Sequence, residues 1–173
     1  AVRQGAKEIW LLGQNVDNYY YKGIDFAQLL RLVNDIPGNF WIRFTSPHPK
    51  DFDDKTVLAM AQSQKITPYL NLPIQSGDDK VLKAMKRPYT VRQYKALVKK
   101  LRSAFKKYRR GLEAELALSV DVIVGFPGET KKQFQNTLNL FREIKYDMAY
   151  IAEYSPRPQR AAANLPDNIS PAE

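Results

Sequence analysis

Five short segments hold most of the side chains that could do chemistry: Gly13-Gln14-Asn15, Thr45-Ser46-Pro47-His48-Pro49, Gln75-Ser76-Gly77, Gly125-Phe126-Pro127-Gly128-Glu129 and Ser155-Pro156-Arg157-Pro158. Their amides, hydroxyls and imidazole can hydrogen-bond a polar ligand, and their glycines let backbone approach it closely. Redox or thiolate chemistry is absent from this set. The chain has no cysteine, so its 173 residues form no disulfide and ligate no cluster through sulfur. His48 is the single histidine and cannot build a zinc site with its own kind.

Each segment follows an apolar run. Strands are expected from near Glu8 to Leu12, over Phe40–Thr45, Tyr69–Ile74 and Leu116–Val124, and over Met148–Tyr154. Helices lie between them. Phe26, Leu29, Leu30 and Val33 make one helical stripe ending at Pro37-Gly38. Asp53 caps a second helix, and a short one carries Val81, Leu82 and Met85. Thr90 with Gln93, and Thr130 with Gln133, spell capping boxes for two longer helices. Strand and helix in alternation argue a parallel α/β fold. Five units are too few for a closed eight-stranded barrel, which needs about 250 residues. In parallel barrels the carboxyl ends of the strands build the site, and that is where the five segments fall. Turn-forming loops are the plain alternative.

Alternation within the strands adds polar groups to the opposite face. Arg43 and Thr45 oppose Ile42 and Phe44; Asn71 and Gln75 oppose Leu70, Leu72 and Ile74; Ser119, Asp121 and Ile123 oppose the valines of their strand. Glu153 could join them. A small barrel normally fills its interior with branched apolar residues. These polar groups therefore line a cavity for a charged ligand, or they satisfy one another in an Arg43–Asp121 network.

The net charge of +9 comes from one stretch, because Lys80 to Arg110 holds thirteen Lys or Arg and no Asp or Glu. Such a surface suits a polyanion, and a solvated helix face is the alternative. Lys86, Arg87 and Tyr89 lie nearest the Gln75 loop and are the expected contacts. No apolar run approaches a bilayer span, so no membrane partner is expected.

Six blocks in order resemble the radical-SAM methylthiotransferases. They are Leu11-Leu12-Gly13-Gln14-Asn15-Val16, Arg43-Phe44-Thr45-Ser46-Pro47-His48-Pro49-Lys50-Asp51-Phe52, Leu72-Pro73-Ile74-Gln75-Ser76-Gly77, Tyr89-Thr90, Asp121 to Thr130, and Tyr154-Ser155-Pro156-Arg157-Pro158. The first two look most like the MiaB-type tRNA branch. The resemblance implies a partial (β/α)6 TIM-like barrel holding S-adenosylmethionine and a [4Fe–4S] cluster. About five βα units would be present here and the first strand missing. In the family the cluster sits on a CxxxCxxC loop, which would precede Ala1. Its chemistry is a deoxyadenosyl radical that takes hydrogen from a prenylated adenosine beside the anticodon, where a methylthio group then enters at C2. Residues 1–158 would be a truncated core, and 159–173 a linker toward a carboxyl-terminal RNA-binding β domain. The resemblance further implies a monomeric, cytoplasmic protein that acts on tRNA, this chain being inactive without the cysteine loop.

By motif, the resemblance places Gly13, Gln14, Asn15, Thr45, Gln75, Ser76, Asp121, Ile123 and Gly125 toward adenosylmethionine. It places Arg43, His48, Lys86, Arg87, Tyr89, Glu153 and Arg157 toward the RNA. Gly125 to Gly128 could equally be a tight turn, His48 a packing residue, and Arg157 a carbonyl cap. Three departures stand out: Gln159-Arg160 where Gly-Thr is usual, Asp78 where Ser is usual, and a longer basic run at Tyr108-Arg109-Arg110-Gly111. Two other functions fit the composition. One is a non-catalytic RNA-binding barrel, and the other a TIM-type lyase using Asp121 and His48.

Overall fold

The computed structural model describes residues 1–109, 115–156, 165 and 169. Chain order is β1 (Glu8–Leu11), β2 (Tyr20–Tyr21), β3 (Ile24–Asp25), α1 (Phe26–Asn34), β4 (Trp41–Phe44), α2 (Asp54–Gln62), β5 (Tyr69–Asn71), α3 (Asp79–Ala84), α4 (Val91–Tyr108), β6 (Ala117–Val124), α5 (Lys131–Ile144) and β7 (Met148–Glu153). β1 pairs with β4, and β5-β6-β7 form a second sheet, all parallel. A parallel bridge between Ile42 and Ile66 joins the two sheets just before β5. The result is a partial barrel whose strands run in sequence order.

The expected phases account for the packing. Ile42, Leu70, Leu72, Ile74, Leu118, Val120 and Val122 point outward beneath the helices and are buried. Phe26 and Leu30 of α1, Met60 of α2, and Tyr94 and Leu101 of α4 cover them. Reciprocal capping boxes start α4 at Thr90/Gln93 and α5 at Thr130/Gln133, and a third, Asp25/Gln28, starts α1. Asp53 takes the Thr56 amide at α2.

Three local features depart from or add to these expectations. The third strand stops at Asn71, short of Ile74; the Leu72 amide still donates to Ser119 O, and pairing returns as one bridge, Gln75 to Val122. A hairpin of β2 and β3 turns through Lys22 and Gly23, both at positive φ, the geometry a two-residue hairpin turn requires. Val2–Gln4 is a single 3-10 turn closed by Gly5 at φ 92°.

Gly77 is fixed by space. A Cβ there would lie 2.5 Å from Thr137 Cα and 2.9 Å from Asn136 O, both backbone atoms of α5. That approach lets the Gly77 amide donate to Thr137 Oγ1 at 2.9 Å. Asp78 completes the joint: it caps α3 through the Lys80 and Val81 amides and accepts Gln133 Nε2 and Asn136 Nδ2 from α5. Burial opposes its charge, but these donors prevail and hold its carboxyl below the usual range. The departure at Asp78 is thus a working cap.

Candidate functional site

The barrel's inner face opens into a cleft of about 460 Å³. Gln14, Thr45, His48, Gln75, Arg87, Tyr89 and Asp121 all line it, and they come from loops and strands spread over the sequence. Register explains the convergence, since paired residues of parallel strands share a face. Trp10 stands beside Arg43, Asn71 beside Ser119, and Asp121 beside Tyr150.

A hydrogen-bond chain crosses the inner face. Tyr69 Oη and Ser119 Oγ are 2.6 Å apart, Ser119 Oγ donates to Asn71 Oδ1 at 2.9 Å, and Asn71 Nδ2 donates to Asp121 Oδ2 at 3.0 Å. Arg43 is elsewhere: its Nε lies 3.0 Å from Glu8 Oε1 and its guanidinium faces the Trp10 and Tyr69 rings. The Arg43–Asp121 network does not form, because each side chain has a nearer partner.

The loops are held by their own contacts. Asp17 accepts the His48 amide on both oxygens, at 3.0 and 2.9 Å. Asn15 Nδ2 donates to Asp51 Oδ2 at 2.7 Å, which turns Asn15 into a tie for the His48 loop. Ser46 and Gln75 take left-handed backbone, φ 56° and 76°, strain that non-glycine residues show chiefly at sites. The Gln75 amide donates to Asp121 O and its carbonyl accepts the Ile123 amide, fixing that conformation against β6. Burial lowers the His48 pKa, with Arg87 and Lys50 adding to the effect and Asp51 opposing it. The Lys50 amide donates to Nδ1, a contact suited to the neutral ring.

Burial raises Asp17 to about 6, although the His48 amide favours its charge. The native state therefore keeps a proton that the unfolded chain has lost. Stability should fall as pH rises from about 4 through about 6, and level off above. Asp17→Asn removes this term. By urea unfolding, the wild type should lose about 3 kcal/mol relative to this variant between about pH 4 and about pH 7. A stability difference that does not vary with pH contradicts the assignment.

Several expected residues lie off the cleft. Gly13 is exposed at its rim-side loop. Ser76 is buried and accepts the Asp78 amide. Gly125 adopts φ 69° and donates its amide to Glu129 Oε2 at 2.9 Å, the geometry of a tight turn. Burial raises the Glu129 pKa, against the pull of the Gly125 and Phe126 amides. Ile123 is not among the residues lining the cleft, Glu153 is exposed at the end of β7, and Lys86 is exposed, with φ 56°. Arg157 lies outside the described residues. Part of the basic stretch is committed to the fold: Lys95 pairs with Glu143, Lys100 with Asp54, and Arg102 caps the carbonyls of Ile144 and Lys145 at the end of α5.

Trp10, Phe44, Tyr69, Pro73 and Tyr150 also line the cleft and were not anticipated as site residues. Alternation marks Trp10, whose neighbours Ile9 and Leu11 are half-buried, but not Tyr150, whose neighbour Ile151 is exposed. Large aromatics read as core until register shows their face.

A family model of the radical SAM superfamily matches residues 1–141. The chain belongs to the radical SAM superfamily. Solved structures share its fold: coproporphyrinogen III oxidase HemN of Escherichia coli, a radical SAM enzyme, superposes with TM-score 0.64 over 84% of this chain and 32% of its own, at 18% identity. Streptococcus suis SuiB bound to S-adenosylmethionine gives TM-score 0.51 over 89% of this chain and 31% of its own, at 15% identity. Among curated relatives, the tRNA-2-methylthio-N(6)-dimethylallyladenosine synthase of Neisseria gonorrhoeae is 47% identical over 96% of this chain, and that of Chromobacterium violaceum 45% over 98%. The chain spans 37% and 38% of those relatives' lengths.

The superfamily implies S-adenosylmethionine and an iron–sulfur cluster. The cluster finds no thiolate here, and no group of His, Asp or Glu among the described residues could hold a metal. The cleft does suit the nucleoside. It offers amide, hydroxyl and carboxylate partners, and the Arg87 Nε is buried with no acceptor among the described residues. No helix among the described residues is long and apolar enough to cross a membrane.

Proposed function

We propose that this chain is the core of a radical-SAM tRNA methylthiotransferase that adds a methylthio group to C2 of a prenylated adenosine next to the anticodon. The observation that supports it most is the single cleft gathering Gln14, Thr45, His48, Gln75, Arg87, Tyr89 and Asp121, in a chain 47% identical to such a synthase. S-adenosylmethionine bound there with its reducing cluster supplies one-electron chemistry able to open a C–H bond.

The chain's own residues bind and orient. Gln14, Thr45 and Gln75 hydrogen-bond the cofactor at the strand ends. Asp121 and Asn71 form the polar floor. Arg87 offers its unpaired Nε to an anionic group, and His48 and Tyr89, whose rings meet edge to face at 5.4 Å, close the rim toward the RNA. A cytoplasmic monomer is part of the same proposal. Residues 1–158 act as the core and 159–173 as a linker, and the cluster is held by cysteines outside these residues.

The test is turnover by the complete protein with clusters reconstituted, given adenosylmethionine, reductant and a prenylated anticodon stem-loop. Deoxyadenosine and methylthiolated RNA are the expected products. RNA binding without either product would favour the non-catalytic barrel.

A further inference from the structure

The β2–β3 hairpin carries tyrosines for which neither the core nor the cleft has a use. Tyr20 and Tyr21 are 72% and 57% exposed, and none of residues 19–24 lines the cleft. Exposed rings in sequence mark a contact surface more strongly than rings scattered singly.

Both ends of the hairpin are clamped, so its rings are positioned before any partner arrives. Upstream, Asp17 accepts the His48 amide, and the Tyr19 amide closes the next turn onto Val16 O at 3.2 Å. Downstream, Asp25 opens α1 through its capping box. Lys22 and Gly23 make the connecting turn at positive φ. Four residues reach at most about 14 Å, so Tyr21 stands within that distance of Asp17 and of the His48 rim it holds. A tyrosine has two side-chain torsions and loses little freedom on contact.

The two rings differ in their surroundings. Successive strand residues project to opposite faces of the ribbon. Tyr20 shares its face with its register partner Asp25, whose carboxylate repels a phosphate. Tyr21 shares its face with Ile24, and the Lys22 ammonium lies 5.3 Å from its ring centre. An open ring beside a cation is the pair that single-stranded nucleic acid takes: a base stacks on the ring and the adjoining phosphate meets the charge. A membrane surface would ask for a broad apolar helix face, which two-residue strands cannot supply.

We propose that the hairpin is a second RNA contact outside the cleft, where Tyr21 stacks on an unpaired loop base other than the target adenosine and Lys22 meets a phosphate beside that base. The contact reads the open shape of the loop rather than its sequence, because every base has a face to stack. The inference rests on the methylthiotransferase reading for the identity of the RNA.

The test measures binding of a prenylated anticodon stem-loop to the complete reconstituted protein, by fluorescence anisotropy across a salt series. Tyr21→Ala should weaken binding on the order of tenfold, the yield of one stacked base, and Tyr21→Phe should restore it. Tyr20→Ala, on the opposite face, should stay within about twofold of wild type. Lys22→Asn keeps the turn and should lower the slope of log affinity against log salt by about 0.7, one phosphate of a single strand. An abasic nucleotide, placed at each loop position in turn, should at one position weaken the wild type and add nothing to Tyr21→Ala. Unchanged melting of each variant separates a lost contact from a lost fold. Tyr21→Ala binding like wild type, the result if the ring serves a protein partner, overturns the hairpin site and leaves the enzyme reading standing. An equal loss in Tyr20→Ala overturns it too. Failure of the wild type to bind the stem-loop overturns both.

Discussion

Arg109→Met should lower stability by about 3–5 kcal/mol, the range for removing one partner from a buried, charge-assisted set. Arg109 is 5% exposed at the end of α4. Its Nε donates to Ala61 O at 3.0 Å, Nη1 to Gln64 O at 3.2 Å, and Nη2 to Ile66 O at 2.8 Å, to Met60 O, and to Ser63 O. These carbonyls are the unpaired end of α2 and the turn that leads to the Ile42–Ile66 bridge. One planar cation thus caps a helix, satisfies a turn and holds the point where the two sheets meet. Burial lowers its pKa, yet no acid is needed beside it because five carbonyl dipoles face the charge. Methionine keeps the stem and leaves those oxygens dry and unpaired. Thermal unfolding should shift by roughly 10 °C for a domain of this size. Arg109→Lys should fall in between, since an ammonium cannot fork across several acceptors. A midpoint within about 2 °C of wild type for the methionine variant would show that water replaces the guanidinium.

Arg109 also marks where reading the sequence fails. In a run of thirteen cations it looks like its neighbours, and charge counting leaves it on a polyanion surface or a solvated helix face. Only the packing of α4 on α2 turns it inward. Lys95, Lys100 and Arg102 are spent likewise on Glu143, Asp54 and the α5 carbonyls. Arg87 alone was both expected from the charge run and found on the cleft.

Local rules carried further. Capping boxes at Thr90 and Thr130 and the apolar stripes are short-range, so elements and their outward faces could be read directly. The inner face was legible wherever a polar residue broke an apolar strand, as at Asn71, Ser119 and Asp121. It was not legible at Trp10, Tyr69 or Tyr150, because an aromatic residue suits either face of a strand. Nor could spacing tell that Asn15 would turn to Asp51, or that Ser76 would turn to Asp78, while their neighbours Gln14 and Gln75 face the cleft. Those choices depend on loops meeting other loops.

Asp121 carries the second large effect. It is the acceptor end of the inner-face chain, half-buried, and flanked by Tyr150 on β7 and Asn71 on β5. Asp121→Ala removes a charged acceptor worth about 1.5–3 kcal/mol and frees Asn71 to swing into the cleft. That loss corresponds to roughly 10- to 100-fold in productive binding. The fold should tolerate it, because Val120 and Val122 on the outer face keep β6 packed.

The decisive quantity is the rate at which the complete, reconstituted protein methylthiolates a prenylated stem-loop, compared between wild type and Asp121→Ala. Chemistry inside the half-barrel predicts a drop of at least about tenfold with melting behaviour preserved. Equal rates would mean that the reacting groups meet somewhere other than the space these strands enclose.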